Sequence, residues 1–293
     1  MGFERQSLHR HTAGLALGIL VALTAAACGS GHDVTSGVPT STDGTRLPAD
    51  RVVWQVDTGG GLVPHAFVAN DVPEVTIYGD GRVFLPVPAE TDGGSAGTVP
   101  TAVRLVQGKV PQTKLRDFLD DVSASGALDE SVDYGDPQVT DLPSTNVRLH
   151  GAGQPAEVDV YALMADFDTG LTGSQQASRR KLRDLIEHSR TLTGATKEWV
   201  PDRVEAIDLA VPEGAPSGDA AEWPGPPFID VFGTVKPGAT IDGPRCAELS
   251  GDDGAKAYAA ALDAGRPFVD DRGAELQVVV RALLPGEVAC ERS

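Results

Sequence analysis

Two runs of alternating side chains, Val75-Thr76-Ile77-Tyr78 and Val83-Phe84-Leu85-Pro86-Val87, flank Gly79-Asp80-Gly81-Arg82. In an extended strand successive side chains point to opposite faces, so apolar alternation means that one face is buried. An Asp-Gly between two such runs is a strong hairpin signal, because the turn needs residues that accept positive φ. The pattern recurs along the chain. Residues 51–57 read as a first strand ahead of Gly59-Gly60-Gly61, and residues 102–106 as a further one. Residues 146–161 read as a second hairpin: Val147 and Leu149 lead in, Gly151-Ala152-Gly153 turns, and Val158 and Val160 lead out. Strands joined by such short turns pair antiparallel.

Helical periodicity interrupts the strands twice in the first 200 residues. After Pro111, residues Leu115, Phe118, Leu119 and Val122 fall at i, i+3, i+4 and i+7, and Gly126 stands where a left-handed cap belongs. Thr172-Gly173-Ser174-Gln175 has capping-box spacing, followed by an apolar stripe of Leu182, Leu185, Ile186 and Leu192. Arg179, Arg180 and Arg183 are expected on the polar face of that helix. The expected fold class is α+β: antiparallel hairpins forming a sheet covered by two or three helices, with a smaller C-terminal α/β portion.

Residues 212–227 are rich in Pro and Gly and read as a linker or crossing loop between a main α+β domain over 51–211 and a small C-terminal sub-domain over 228–293. Within the latter, 228–232 is a strand candidate, 252–264 an Ala-rich helix, and 276–284 one long alternating strand. Cys246 and Cys290 are two of the three cysteines in the chain. Neither belongs to a Cys-x-x-Cys unit, so a disulfide between them is the expectation, and it would strengthen a small unit.

The N-terminus carries a different message. Arg5, His9, Arg10 and His11 precede an uninterrupted apolar run over 13–23, then Ala25-Ala26-Ala27-Cys28-Gly29-Ser30. A basic start, a short apolar core and a small-residue exit describe a secretory signal over residues 1–27. The core is too short to span a bilayer, which takes about 20 apolar residues. The small residues ahead of Cys28 resemble the lipobox of bacterial lipoproteins, although Ala25 stands where Leu is usual. That resemblance implies a Cys28 thiol carrying a diacylglyceryl group. Two acyl chains anchor stably where one gives only marginal binding. Residues 28–50 are rich in Gly, Ser, Thr, Asp and Pro, without apolar periodicity, and read as the lipidated Cys and a flexible tether.

The chain carries 24 basic and 42 acidic residues, a net charge of −18. That excludes nucleic acid as the expected partner and disfavours electrostatic adhesion to an anionic bilayer. The preference for Arg over Lys, with abundant Ala, Gly, Val, Asp and Pro, fits a high-GC genome. Together with the lipobox-like Cys28, it makes the chain similar to actinobacterial cell-envelope lipoproteins. Residues 75–83 also resemble the opening hairpin of bacterial envelope proteins that share an x-Tyr-Gly-Asp-Gly-x signature. These resemblances imply a compartment and a fold class rather than an activity.

No residue pattern designates a catalytic centre, a metal or a cofactor. Ser178-Arg179-Arg180-Lys181 has the Ser-x-x-Lys spacing of penicillin-binding proteins, but the companion Ser-Asp-Asn and Lys-Thr-Gly are missing. Asp166-Phe167-Asp168-Thr169-Gly170 opens like a calcium loop, yet Leu171 and Ala177 occupy the positions that need Gly and Glu. Two residues remain as binding candidates: His65, in a loop of unusual composition, and Trp223, an aromatic in a Pro-rich stretch that could anchor a partner or plug a seam. The expected function is a membrane-tethered, extracytoplasmic, non-catalytic binding or assembly module. Its candidate partners are an envelope protein, a glycan or a lipid. A cell-envelope hydrolase with an unrecognised site near His65 and Asp71 is the alternative.

Overall fold

The computed structural model describes residues 47–62, 68–87, 101–151, 155–165, 167–209, 220–233, 245–264, 267–270 and 273–291. All lie within one compact unit, Thr45–Ser293. The signal-like segment, Cys28, the tether up to residue 46, His65 and residues 212–219 of the Pro-rich stretch fall outside the described residues.

The chain is α+β. Its first part comprises β1 (Val52–Gly59), β2 (Val75–Tyr78), β3 (Arg82–Pro86), β4 (Leu105–Lys109), α1 (Gln112–Ser125), β5 (Ser144–Leu149), β6 (Ala156–Tyr161), α2 (Gly173–Thr191) and β7 (Thr196–Trp199). The seven strands form one sheet in the order β6-β5-β1-β2-β3-β4-β7, with every neighbouring pair antiparallel. Both anticipated hairpins are present: Ile77 faces Val83 across the first, and Val147 faces Val158 across the second.

Two glycines make the first hairpin. Gly81 has φ 89°, and a Cβ there would lie 2.3 Å from the Val110 carbonyl oxygen. At Gly79 a Cβ would lie 2.2 Å from the carbonyl oxygen of Pro48, so the preceding segment packs directly on the turn backbone.

One face of this sheet is covered by α1 and α2. Leu115, Phe118, Leu119 and Val122 of α1 join Leu182 and Ile186 of α2 over Trp54, Val56, Ile77, Val83, Val147 and Val160. Trp54 packs edge-on against Phe118, with ring centroids 5.2 Å apart. Gly126 caps α1 at φ 65°, and both reciprocal bonds of the Thr172–Gln175 capping box open α2. The buried stripe of α2 differs from expectation. Arg179 is fully buried, one turn before Leu182, while Leu185 is only partly covered. Its guanidinium donates to the carbonyls of Tyr134, Gly135 and Tyr161 at 3.3, 3.2 and 2.8 Å. Those bonds supply the polar surroundings without which a buried cation is costly.

The remaining elements are β8 (Arg203–Asp208), β9 (Ala221–Glu222), α3 (Phe228–Phe232), β10 (Arg245–Ser250), α4 (Gly251–Ala264), β11 (Phe268–Val269), β12 (Glu275–Leu276) and β13 (Val278–Ala282). They build two three-stranded sheets, β10-β8-β13 and β12-β11-β9. Three local expectations are corrected. Residues 228–232 are helical rather than a strand, with Arg245 lying over the Phe228 and Phe232 rings. The strand expected over 276–284 is two strands, broken at Gln277, whose carbonyl accepts from Leu209 N–H. The strand expected at 102–106 begins at Leu105, because the residues before it bond elsewhere. Thr101 takes the Val280 N–H at 2.7 Å and gives its hydroxyl to Ala261, and Val103 takes the Tyr258 hydroxyl.

These bonds bring the second core to the other face of the large sheet. Tyr78, Phe84 and Leu105 share it with Val204, Ala206, Trp223, Tyr258, Phe268, Val278 and Val280. All five residues of β13 are buried, since its second face is covered as well.

Candidate binding cavity

The second core covers only part of that face. One residue from each of six neighbouring strands lies in a continuous row across the sheet: Glu157 on β6, Arg148 on β5, Gln55 on β1, Thr76 on β2, Phe84 on β3 and Gln107 on β4. Phe84 enters the second core, whereas the four residues on its β6 side are polar. Arg148 links two of them, donating to Glu157 Oε1 at 3.3 Å and to Gln55 Oε1 at 3.3 Å. The next register pair, Asp57 and Asn146, lies on the same face two residues along β1 and β5.

Where this polar row meets the second core, a cavity of about 330 Å³ opens. It is lined by Gln55, Thr76, Tyr78 and the turn 284–287, with Asp50–Val52 along the remaining side. The volume is at the lower end for small-molecule sites, which run from about 300 to 1,000 Å³. Thr76 is fully buried and its Oγ1 has no hydrogen-bond partner among the described residues. Oδ1 of Asp57 and Oδ1 of Asn146 are likewise buried and unpartnered. Buried polar atoms are nearly always satisfied, so three orphans on one sheet face stand out.

The wall at 284–287 is held from several directions. Leu284 N–H donates to Glu287 Oε2 at 2.9 Å, and Glu287 N–H returns to Leu284 O at 3.0 Å. Tyr78 donates its hydroxyl to Pro285 O at 2.8 Å, and Arg203 Nη1 donates to Glu287 O at 3.1 Å. Burial pushes the Tyr78 hydroxyl well above the usual tyrosine range, with the nearby Glu287 charge adding to it, so it remains a donor.

Behind the wall lies a buried charge cluster. Arg281 Nε donates to Glu205 Oε2 at 2.9 Å, while its Nη1 reaches Glu287 Oε2 at 3.3 Å. The other oxygen of Glu205 accepts the Cys290 N–H at 2.9 Å. Cys290 and Cys246 form the anticipated disulfide, with Cα atoms 5.7 Å apart. Glu205, Cys246 and Cys290 bring their ligand atoms within 4.8 Å of one another, a metal-site spacing. Both sulfurs are consumed in the bridge, however, and Glu205 is engaged by Arg281 and Cys290.

The acids lining the cavity are balanced. Asp50 pairs with Arg82 at 3.0 Å, Arg82 also holds Asp80 at 2.8 Å and lies over the Tyr78 ring, and Glu287 pairs with Arg281. Gln55, Thr76 and Tyr78 add neutral hydrogen-bonding groups to the lining, and Arg51 adds a cation.

Of the binding candidates read from sequence, Trp223 is buried in the second core, edge-on to Phe228 and Phe268, with its Nε1–H given to Pro226 O at 3.0 Å. The cavity residues Gln55 and Thr76, and Arg148 beside them, carry no signal in the sequence. In a strand a Thr or Gln opposite apolar neighbours reads as a solvated face, and only the cross-strand register aligns them. The chain matches no protein-family model, no curated protein and no solved structure.

Proposed function

We propose that the chain is a lipid-anchored lipoprotein of the cell envelope, held at the outer face of the plasma membrane through Cys28, and that its α+β body is a non-catalytic binding module. The observation that carries the binding reading is the cavity lined by Thr76, whose buried hydroxyl has no partner among the described residues. A ligand that supplies the missing bond gains from a group already desolvated. The anchoring reading rests on the small residues ahead of Cys28. It is supported by the Cys246–Cys290 bridge, which suits an oxidising compartment. No described helix is long and apolar enough to cross a membrane, so attachment by acyl chains at Cys28 is the route proposed.

Fractionation of cells expressing the full chain tests the anchor. Wild type should sediment with membranes and carry an acylated N-terminal Cys28 by intact mass, and Cys28→Ser should release it from that fraction. Membrane association unchanged in Cys28→Ser would overturn the anchor. In-cell crosslinking of the wild type, with Thr76→Val as control, tests the binding reading: a partner or ligand whose capture is insensitive to Thr76 would overturn this cavity as the site.

A further inference from the structure

We infer that the cavity and the polar strip beside it take a neutral, polyhydroxylated ligand, a glycan unit, an assignment that rests on reading the cavity as the binding site. The unsatisfied atoms define what the ligand must bring. Thr76 Oγ1, in the cavity lining, can donate or accept, while Asp57 Oδ1 and Asn146 Oδ1, in the strip beside it, accept only. Gln55 lies between Thr76 and Arg148 in the cross-strand register, next to the Asp57–Asn146 pair, and the Gln55 amide and Arg148 guanidinium add donors. Hydroxyl groups donate and accept at once, so a surface that interleaves donors and acceptors suits a polyol.

Planar, forked side chains strengthen this assignment. Carboxylate, amide and guanidinium each present two polar atoms at a spacing that matches two adjacent hydroxyls of a sugar ring. Asp57, Asn146, Gln55, Arg148 and Glu157 are all of this kind, on three neighbouring strands. Charged ligands fit less well. An anion would meet Asp50, Glu287 and Glu157 within a chain of net charge −18. An ammonium would face Arg51 in the cavity lining and Arg148 in the strip. Val52, Leu284 and Pro285 supply apolar wall for the C–H face of a ring, and about 330 Å³ accommodates one.

The test uses the full chain in a detergent without a sugar headgroup. It is titrated with neutral oligosaccharides of glucose, galactose, mannose, arabinose and N-acetylglucosamine, alongside spermidine and citrate, by calorimetry and saturation-transfer NMR. At least one oligosaccharide should bind, and Thr76→Val should weaken it about tenfold, the worth of one buried hydrogen bond. Thr76→Val keeps the side-chain shape and removes an unpaired hydroxyl, so its thermal midpoint should not fall. Asn146→Ala should weaken the same sugar. Binding of spermidine or citrate in place of any sugar, with sensitivity to Thr76, would overturn the glycan assignment and leave the cavity as the binding site. A sugar that binds equally well to wild type, Thr76→Val and Asn146→Ala would overturn the placement at this cavity. Binding of none of the probes would overturn the glycan assignment, and the crosslinking comparison with Thr76→Val then decides the cavity reading separately.

Discussion

Glu205 and Arg281 face each other at a paired register position of β8 and β13, and their side chains form an ion pair from which water is almost entirely excluded. Taking two charges out of water is expensive, and the pair is tolerable because its remaining bonding capacity is filled. Cys290 N–H and Glu287 supply those bonds on either side. Arg281→Met leaves Glu205 with a buried charge and no cation. It should destabilise the protein by about 3–5 kcal/mol, the usual loss on breaking a buried pair from one side. Urea unfolding of wild type and variant measures this.

The disulfide joins residues 44 apart in sequence. In the chain-entropy account, closing a loop of this size stabilises by about 4 kcal/mol through the unfolded state. A reducing agent should therefore lower the thermal midpoint of wild type. The double variant Cys246→Ala, Cys290→Ala should start lower and be insensitive to reductant. A reductant effect of equal size in both would place the sensitivity elsewhere.

Arg179 joins α2 to the 134–135 segment and to the end of β6 through three carbonyl bonds. Burial, with the neighbouring Arg183 charge, lowers its guanidinium below the usual arginine value, though a guanidinium in a protein stays protonated. Arg179→Leu strands three acceptors and should cost about 3 kcal/mol or more. Arg183→Leu removes a single 3.1 Å bond to Leu163 O from a half-buried side chain, and should cost about 1 kcal/mol. Unfolding midpoints of the two variants give the comparison.

Glu157 ends the polar row, and the amide of Asn146, donating at 2.8 Å, holds its carboxyl below the usual carboxylate range, with Arg148 assisting. The folded state therefore binds this proton less tightly than the unfolded chain. The stabilisation is present above the unfolded carboxylate range and is lost as pH falls through the folded value. Carboxyl-carbon NMR should show Glu157 titrating low in wild type and moving upward in Asn146→Ala. An unchanged titration would remove the Asn146 bond as the cause.

Local rules account for the parts of the fold that were legible from sequence. The Asp80-Gly81 hairpin, the α1 stripe with its Gly126 cap and the Thr172–Gln175 capping box each depend on residues within a few positions of one another. Arg179 shows the opposite case. Its burial is compensated by carbonyls 18 to 45 residues away, and helical periodicity alone assigns an Arg to the solvated face. The five residues of the 228–232 helix hold too little periodicity to distinguish helix from strand in sequence.

Local sequence patterns suffice for the antiparallel hairpins, the two long helices, the α+β class and the Cys246–Cys290 pairing. Tertiary structure decided that Tyr78 and Phe84 share a core with Val204, Val280 and Tyr258, and that Tyr78 holds the 284–287 turn over Thr76 and Gln55. Register across β6, β5, β1 and β2 aligned Glu157, Arg148, Gln55 and Thr76 from positions up to 102 residues apart. The physical reason is range. Alternation and capping act through the neighbouring backbone, whereas a cavity and an unsatisfied hydroxyl exist only once distant strands are paired and packed.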